Sequence, residues 1–184
     1  MSDRTTDIAK VRAFEIHQRV GTESQPTRGG VDSVRRRFYR GFMPTPQIVI
    51  DTNVLVAGLR SKRGRAFELL SLVGTGAFDI HLSVPLVLEY EEILLRERSR
   101  LEISESAVQT VINYHCAAAT HHEIFFLWRP YLPDADDDML LELAVKAGCQ
   151  FIVTYNSRDF AAIEQFGLQA VTPAEFLKLI GNLS

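Results

Sequence analysis

The chain has 184 residues, 46% of them hydrophobic and 23% charged, with a formal net charge of −3; these are the proportions of an ordinary globular protein with material for one sizeable core. No apolar run approaches the roughly 20 residues that span a bilayer. The opening MSDRTTDIAK has no apolar signal-peptide core, so no membrane association and a bacterial-type cytoplasmic location are the expectations.

Charge is unevenly spread. Residues 1–46 carry nine Lys/Arg and five Asp/Glu, whereas residues 47–184 carry eleven and eighteen, a body of net charge −7. Such a body is poorly suited to gripping nucleic acid by charge alone. It suits carboxylates that hold divalent cations, which then meet phosphates. The two cysteines, Cys116 and Cys149, form no CxxC pair and no zinc spacing, and read as small apolar residues. His121 and His122 are adjacent; on a strand they point to opposite faces, which disfavours a shared zinc.

Residues 1–46 read as a basic leader, distinct in composition from the rest of the chain. VRAFEIHQRV has the pattern of a short amphipathic helix, GTESQPTRGG that of a linker, and VDSVRRRFYRGF is basic with interleaved aromatics. The leader is suited to disorder or to docking a partner, and the domain boundary falls near Pro46. From residue 47 to 184 strand and helix patterns alternate. Strands are predicted at 47–51, 78–83, 123–128, 150–155 and 168–172, all short and rich in Ile, Val and Phe. Helices are predicted between them: one beginning near Asn53, one over RAFELLSLVG, one over SVPLVLEYEEILLRER with Pro85 in its first turn, one capped by Ser104, one over DDDMLLELAVKAG ending on Gly148, one over RDFAAIEQFG and a last over TPAEFLKLIG. Strict alternation predicts an α/β domain whose mostly parallel sheet of about five strands is covered on both faces.

In such a sheet, ligands sit beyond the carboxyl ends of the strands. The segments after the strands carry Asp51-Thr52-Asn53, then Ser83 with Glu89, then DADDD at 134–138, then Thr154, Asn156 and Asp159. Asp51 and Asp159 are equally good as helix caps. One or two acids at 134–138 suit a helix N-terminus, but four repel one another unless something neutralises them. Asp138 is expected to be the main ligand and Asp137 an assisting or capping one. Hard cations take oxygen donors, and phosphoryl chemistry uses Mg²⁺ or Mn²⁺ held by a few carboxylates. Neither GxGxxG nor GxxxxGK[ST] is present, and no G-x-S-x-G elbow. A haloacid-dehalogenase-like phosphohydrolase is disfavoured because Asn53 stands where its second aspartate belongs. A receiver domain is disfavoured because FFLWRP offers no phosphorylatable aspartate after the third strand.

The ordered series IVIDTNVLVAGL, LSVPLVLEYEEIL, WRPYLPDADDDMLLELAVKAG and FIVTYNSRDF resembles a PIN domain, and within that family its VapC-like toxin branch. The likeness runs over about residues 47–175. It implies a Rossmann-like three-layer α/β/α sandwich and a Mg²⁺- or Mn²⁺-dependent endoribonuclease. For many members it also implies a homodimeric toxin neutralised by a small antitoxin. Carried onto this sequence, the resemblance implies Asp51, Glu89, Asp138 and Asp159 as catalytic acids, with Asp51, Asp138 and Asp159 on the metal. Thr52, Asn53, Asp137, Thr154 and Asn156 assist, and Arg129 or Arg158 is the candidate for the scissile phosphate. Position 156 departs from the pattern: many relatives carry aspartate there. An alternative reading is a catalytically weak PIN-like module that binds RNA or a protein partner.

Overall fold

A computed structural model describes residues 45–125 and 130–183. The leader elements and Arg129 therefore lie outside the described residues. Strands β1 (Gln47–Ile50), β2 (Asp79–Ser83), β3 (Thr120–His122), β4 (Phe151–Val153) and β5 (Gln169–Val171) form one sheet in the order β3-β2-β1-β4-β5. Every pairing is parallel. The helices are α1 (Thr52–Arg60), α2 (Arg65–Ser71), α3 (Val84–Leu101), α4 (Glu105–Ala118), α5 (Asp138–Ala147) and α6 (Pro173–Leu183), with a 3₁₀ helix at Ala161–Phe166.

The central strand explains the pattern. Ile48, Val49 and Ile50 are all buried, so β1 has no solvent face and its apolar run is continuous rather than alternating. α5 packs across β1, β2 and β4, while α1 packs on α2 and α3, and α3 on α4. The connections β1 to β2 and β2 to β3 step one way along the sheet, and β3 to β4 returns past β1 to the other side. Right-handed crossovers then put the two sets of helices on opposite faces. The expected α/β fold with a parallel five-stranded sheet is the fold observed.

Local chemistry sets the helix ends. The Ser104 hydroxyl accepts from the Ala107 N–H at 3.1 Å and starts α4. Gly148 ends α5 in the left-handed region at φ 64°, a conformation that costs glycine little. Inside α1, Gly58 lets α2 approach closely: a Cβ there would sit 2.4 Å from Leu70 Cδ1 and 3.3 Å from the Ala66 carbonyl carbon. The Tyr90 hydroxyl donates to the Ile50 carbonyl and ties α3 to the end of β1.

Two expected elements differ. The third strand lies at Thr120–His122 rather than 123–128; Ile124 and Phe125 are outside any strand, and 126–128 lie outside the described residues. β3 is an edge strand, and its register is held by polar partners: His122 Nε2 lies 2.8 Å from His81 Nδ1, and His121 Nε2 lies 2.8 Å from the Cys116 carbonyl. An edge strand has no neighbour on one side and little helix cover, so apolarity is a poor guide to it. The helix expected over 158–167 is a hydrogen-bonded turn followed by the 3₁₀ helix. Asp159 caps nothing there; its N–H donates to the Asn156 carbonyl at 2.9 Å.

Candidate active site

The strand order reverses between β1 and β4, and the crevice at such a switch point is where open α/β sheets take ligands. β1 ends at Ile50 and runs into Asp51, whose N–H donates to the Val153 carbonyl at 2.9 Å. β4 ends level with β1, Val153 opposite Ile50, and Thr154 stands beside Asp51. The chain leaves β1 straight into α1, so Asp51 is the helix N-cap, its Oδ1 accepting from the Asn53 N–H at 3.0 Å. Its Oδ2 accepts from the Asn53 side-chain amide at 2.6 Å and from the Thr154 hydroxyl at 2.5 Å. The cap reading and the site reading of Asp51 are thus one geometry. Burial raises the Asp51 pKa, and the bonds from Thr154 and Asn53 pull it back only in part.

Asn53 and Thr154 form the hub of this corner. The Asn53 side-chain Oδ1 accepts the Tyr155 N–H at 3.2 Å, and its Nδ2 donates to the Thr154 hydroxyl at 3.2 Å. The same hydroxyl accepts the Asn156 N–H at 2.9 Å. The segment after β4 is therefore clamped onto the start of α1, with Asn156 and Arg158 exposed and Asp159 half-buried. From the neighbouring helix α3, Glu89 reaches the same edge. Its Oε1 accepts from the buried Thr52 hydroxyl at 2.6 Å. Burial raises its pKa first, and the charges of Asp51, Asp136 and Glu92 add to that.

The acidic run at 134–138 divides. Asp138 is buried, and its carboxylate accepts from the Leu132 N–H at 2.8 Å and the Tyr131 N–H at 3.0 Å. It closes the loop that precedes α5. Asp137, the N-cap residue of α5, is half-buried and makes no side-chain cap bond. Its pKa is pushed up to about 7, first by burial and then by the charges of Asp51, Asp134, Asp159 and Glu89. Asp137 thus stands in the joint field of the acids from β1, α3 and the segment after β4. The sequence favours Asp138 over Asp137 as the main ligand, and one sequence feature bears on that choice. Asp138 shares its helix face with Leu141 and Glu142, which are also buried, so that face turns into the body.

Among the described residues, no three His, Cys, Asp or Glu side chains form a ready-made metal cage. The donor chemistry nonetheless fits a hard cation. The groups are carboxylates, and their mutual repulsion at Asp137 is the strain that a divalent charge would relieve. Ser83, at the end of β2, has a buried hydroxyl without a hydrogen-bond partner among the described residues.

A direct comparison with curated proteins gives no match. A family model for the PIN domain matches residues 47–158, which runs from the first residue of β1 through Asp51, Glu89, Asp137 and Thr154 to Arg158. No described helix is long and apolar enough to cross a membrane. The chain belongs to the PIN domain family, whose domains are generally nucleases.

Proposed function

We propose that this protein is a metal-dependent endoribonuclease, with Asp51, Glu89, Asp137 and Asp159 as its acidic site. The single observation that carries the reading is the perturbed Asp137: acids from three other segments of the chain bear on it at the sheet's switch point. Asp51, Asp137 and Asp159 would hold Mg²⁺ or Mn²⁺. The chemistry such a cation supplies when bound is activation of a water for attack at phosphorus and neutralisation of the leaving oxygen.

The chain's own residues do the rest. Asn53 and Thr154 hold the Asp51 carboxylate in one orientation from both oxygens. Thr52 orients Glu89, whose raised pKa suits it to accept a proton from an attacking water at its carboxylate. Asp138 supports the site through the 131–132 backbone and is assigned a positioning role in place of the metal contact expected of it. Arg158, exposed beside Asp159, is available to a substrate phosphate. The expected products carry 5′-phosphate and 3′-hydroxyl ends.

The test is cleavage of RNA by the purified chain with Mg²⁺, Mn²⁺ or EDTA, beside Asp51→Asn. Cleavage that needs the cation and falls by at least about 100-fold in the variant, the scale of a lost metal or electrostatic contact, supports the reading. Cleavage that survives in EDTA or in Asp51→Asn sinks it. A toxin role, with a homodimer and a small antitoxin, belongs to the same proposal and rests on the VapC-like motif series. Growth arrest on expression, relieved by Asp51→Asn, is its expected sign. A second reading, a binding module with little catalysis, is favoured by Asn156, which brings an amide where a further carboxylate would strengthen cation binding. It predicts RNA binding without cleavage under any cation.

A further inference from the structure

The acidic body has one stretch of opposite character. Residues 60–65 read RSKRGR and hold four of the eleven Lys/Arg of residues 47–184. They join α1 to α2. Arg60, Ser61, Lys62 and Arg63 are all exposed or nearly so. Four other basic residues of the body pair with carboxylates, Arg65 with Glu68 at 2.7 Å, Arg96 with Glu92 at 3.9 Å, Arg98 with Glu105 at 3.1 Å and Arg100 with Glu97 at 3.3 Å, while Lys146, Arg158 and Lys178 stand singly along the chain. Among the described residues, no carboxylate lies within ion-pairing distance of Arg60, Lys62 or Arg63.

This loop is held in shape. The Ser61 N–H donates to the Ala57 carbonyl at 3.3 Å and the Gly64 N–H to the Ser61 carbonyl at 3.4 Å. The Glu68 N–H donates to the Gly64 carbonyl at 3.1 Å, and Gly58 seats the two flanking helices against each other. Arg60, in the last turn of α1, answers the negative end of that helix. Lys62 and Arg63 lie beyond the helix and answer no such field. Three like charges kept close, exposed and without counter-charge are stabilised by an external polyanion. α1 begins just after its cap Asp51 and has nine residues, so the loop stands about 13 Å along the helix from Asp51 at ~1.5 Å per residue. That is within reach of a strand whose scissile bond lies at Asp51, a few nucleotides away.

We propose that the α1–α2 loop, through Arg60, Lys62 and Arg63, is a contact surface for the phosphate backbone of RNA, gripping the substrate to one side of the acidic site. This rests on the ribonuclease reading. The loop answers a difficulty that reading creates: a body of net charge −7 repels the polymer it must hold. Phosphate contacts position a strand without reading its sequence, so the loop gives affinity and register and leaves base preference to other groups.

The experiment is RNA binding by the full chain in EDTA, where cation-dependent cleavage is off, read as fluorescence anisotropy of a labelled unstructured single-stranded RNA over a range of salt. Lys62→Gln/Arg63→Gln is compared with the native chain and with Arg98→Gln/Arg100→Gln, which removes the same charge elsewhere. Thermal melting establishes that each is folded. The loop variant is expected to bind at least about tenfold more weakly, with its log–log salt slope reduced by ~0.7 per charge removed. The control pair is expected to keep native affinity. Unchanged affinity in the loop variant, or an equal loss in the control pair, overturns the proposal. Because binding is read without cleavage, a selective loss in the loop variant upholds the surface even where no RNA is cut, an outcome that would sink the nuclease reading alone.

Discussion

Asp137 and Asp138 are neighbours with the same side chain and opposite circumstances. Asp138 is buried and accepts backbone N–H groups from Tyr131 and Leu132; Asp137 faces other carboxylates. The two amide variants should therefore part. Asp138→Asn loses one charged acceptor for two N–H donors and is expected to cost about 1–3 kcal/mol, seen as a lower thermal midpoint in EDTA. Asp137→Asn removes a repelled charge and is expected to raise that midpoint by a few degrees while cleavage is lost. Equal melting of both variants would contradict the division of roles. The sequence singled out the acidic run. It did not show which acid turned outward, because that depends on the angle at which α5 meets the sheet. Asp51 was more legible: an acid directly after an apolar β-branched run is both strand end and helix cap, whatever else it does.

At the scale of elements, α1 and α2 meet because position 58 has no side chain. Gly58→Val puts bulk where a Cβ alone would be 2.4 Å from the buried Leu70 side chain. It is expected to cost about 1–3 kcal/mol by overpacking, outweighing the helix propensity regained. A denaturant midpoint no lower than that of the native chain would count against this packing. The elements that sequence pattern placed well are the ones buried on both faces, β1 and β4, where continuous apolarity is forced. β3 was misplaced because its residues are half-exposed at an edge and held by His81 and the Cys116 carbonyl. Those partners lie on β2 and α4, so their bonds leave no trace in the local pattern.

For the whole molecule, two sets of groups give stability opposite slopes with pH. Burial lowers the pKa of His115, and burial and neighbouring positive charge lower those of His81 and His122. The unfolded chain takes up these protons below about pH 6.5 while the fold resists them. Their contribution is present above that pH and is lost as pH falls from there toward the folded values. The carboxylates run the other way. Asp51, Glu89 and Asp137 are raised, so stability is lost as pH rises from about 4 through the folded values, about 7 for Asp137. Thermal melting should show His115→Gln losing less stability than the native chain between pH 7 and 5. Asp137→Asn should lose less between pH 4 and 7. Mg²⁺ or Mn²⁺ should raise the native midpoint clearly above pH 7 and less near pH 5, where Asp137 holds a proton. A cation effect independent of pH would argue that binding occurs elsewhere.

The sequence by itself determined the alternation of strand and helix, the parallel sheet, and the segments that carry acids to one edge. Each is fixed by local periodicity, by burial on two faces or by turn chemistry. Only the tertiary structure decided which carboxylates share a field and which are spent on backbone N–H groups. It also decided that Thr52 serves Glu89 across 37 positions and that Asn53 serves the segment after β4 across 102. Those pairings come from strand order and helix packing, and contacts made between distant segments leave no period for a sequence to show.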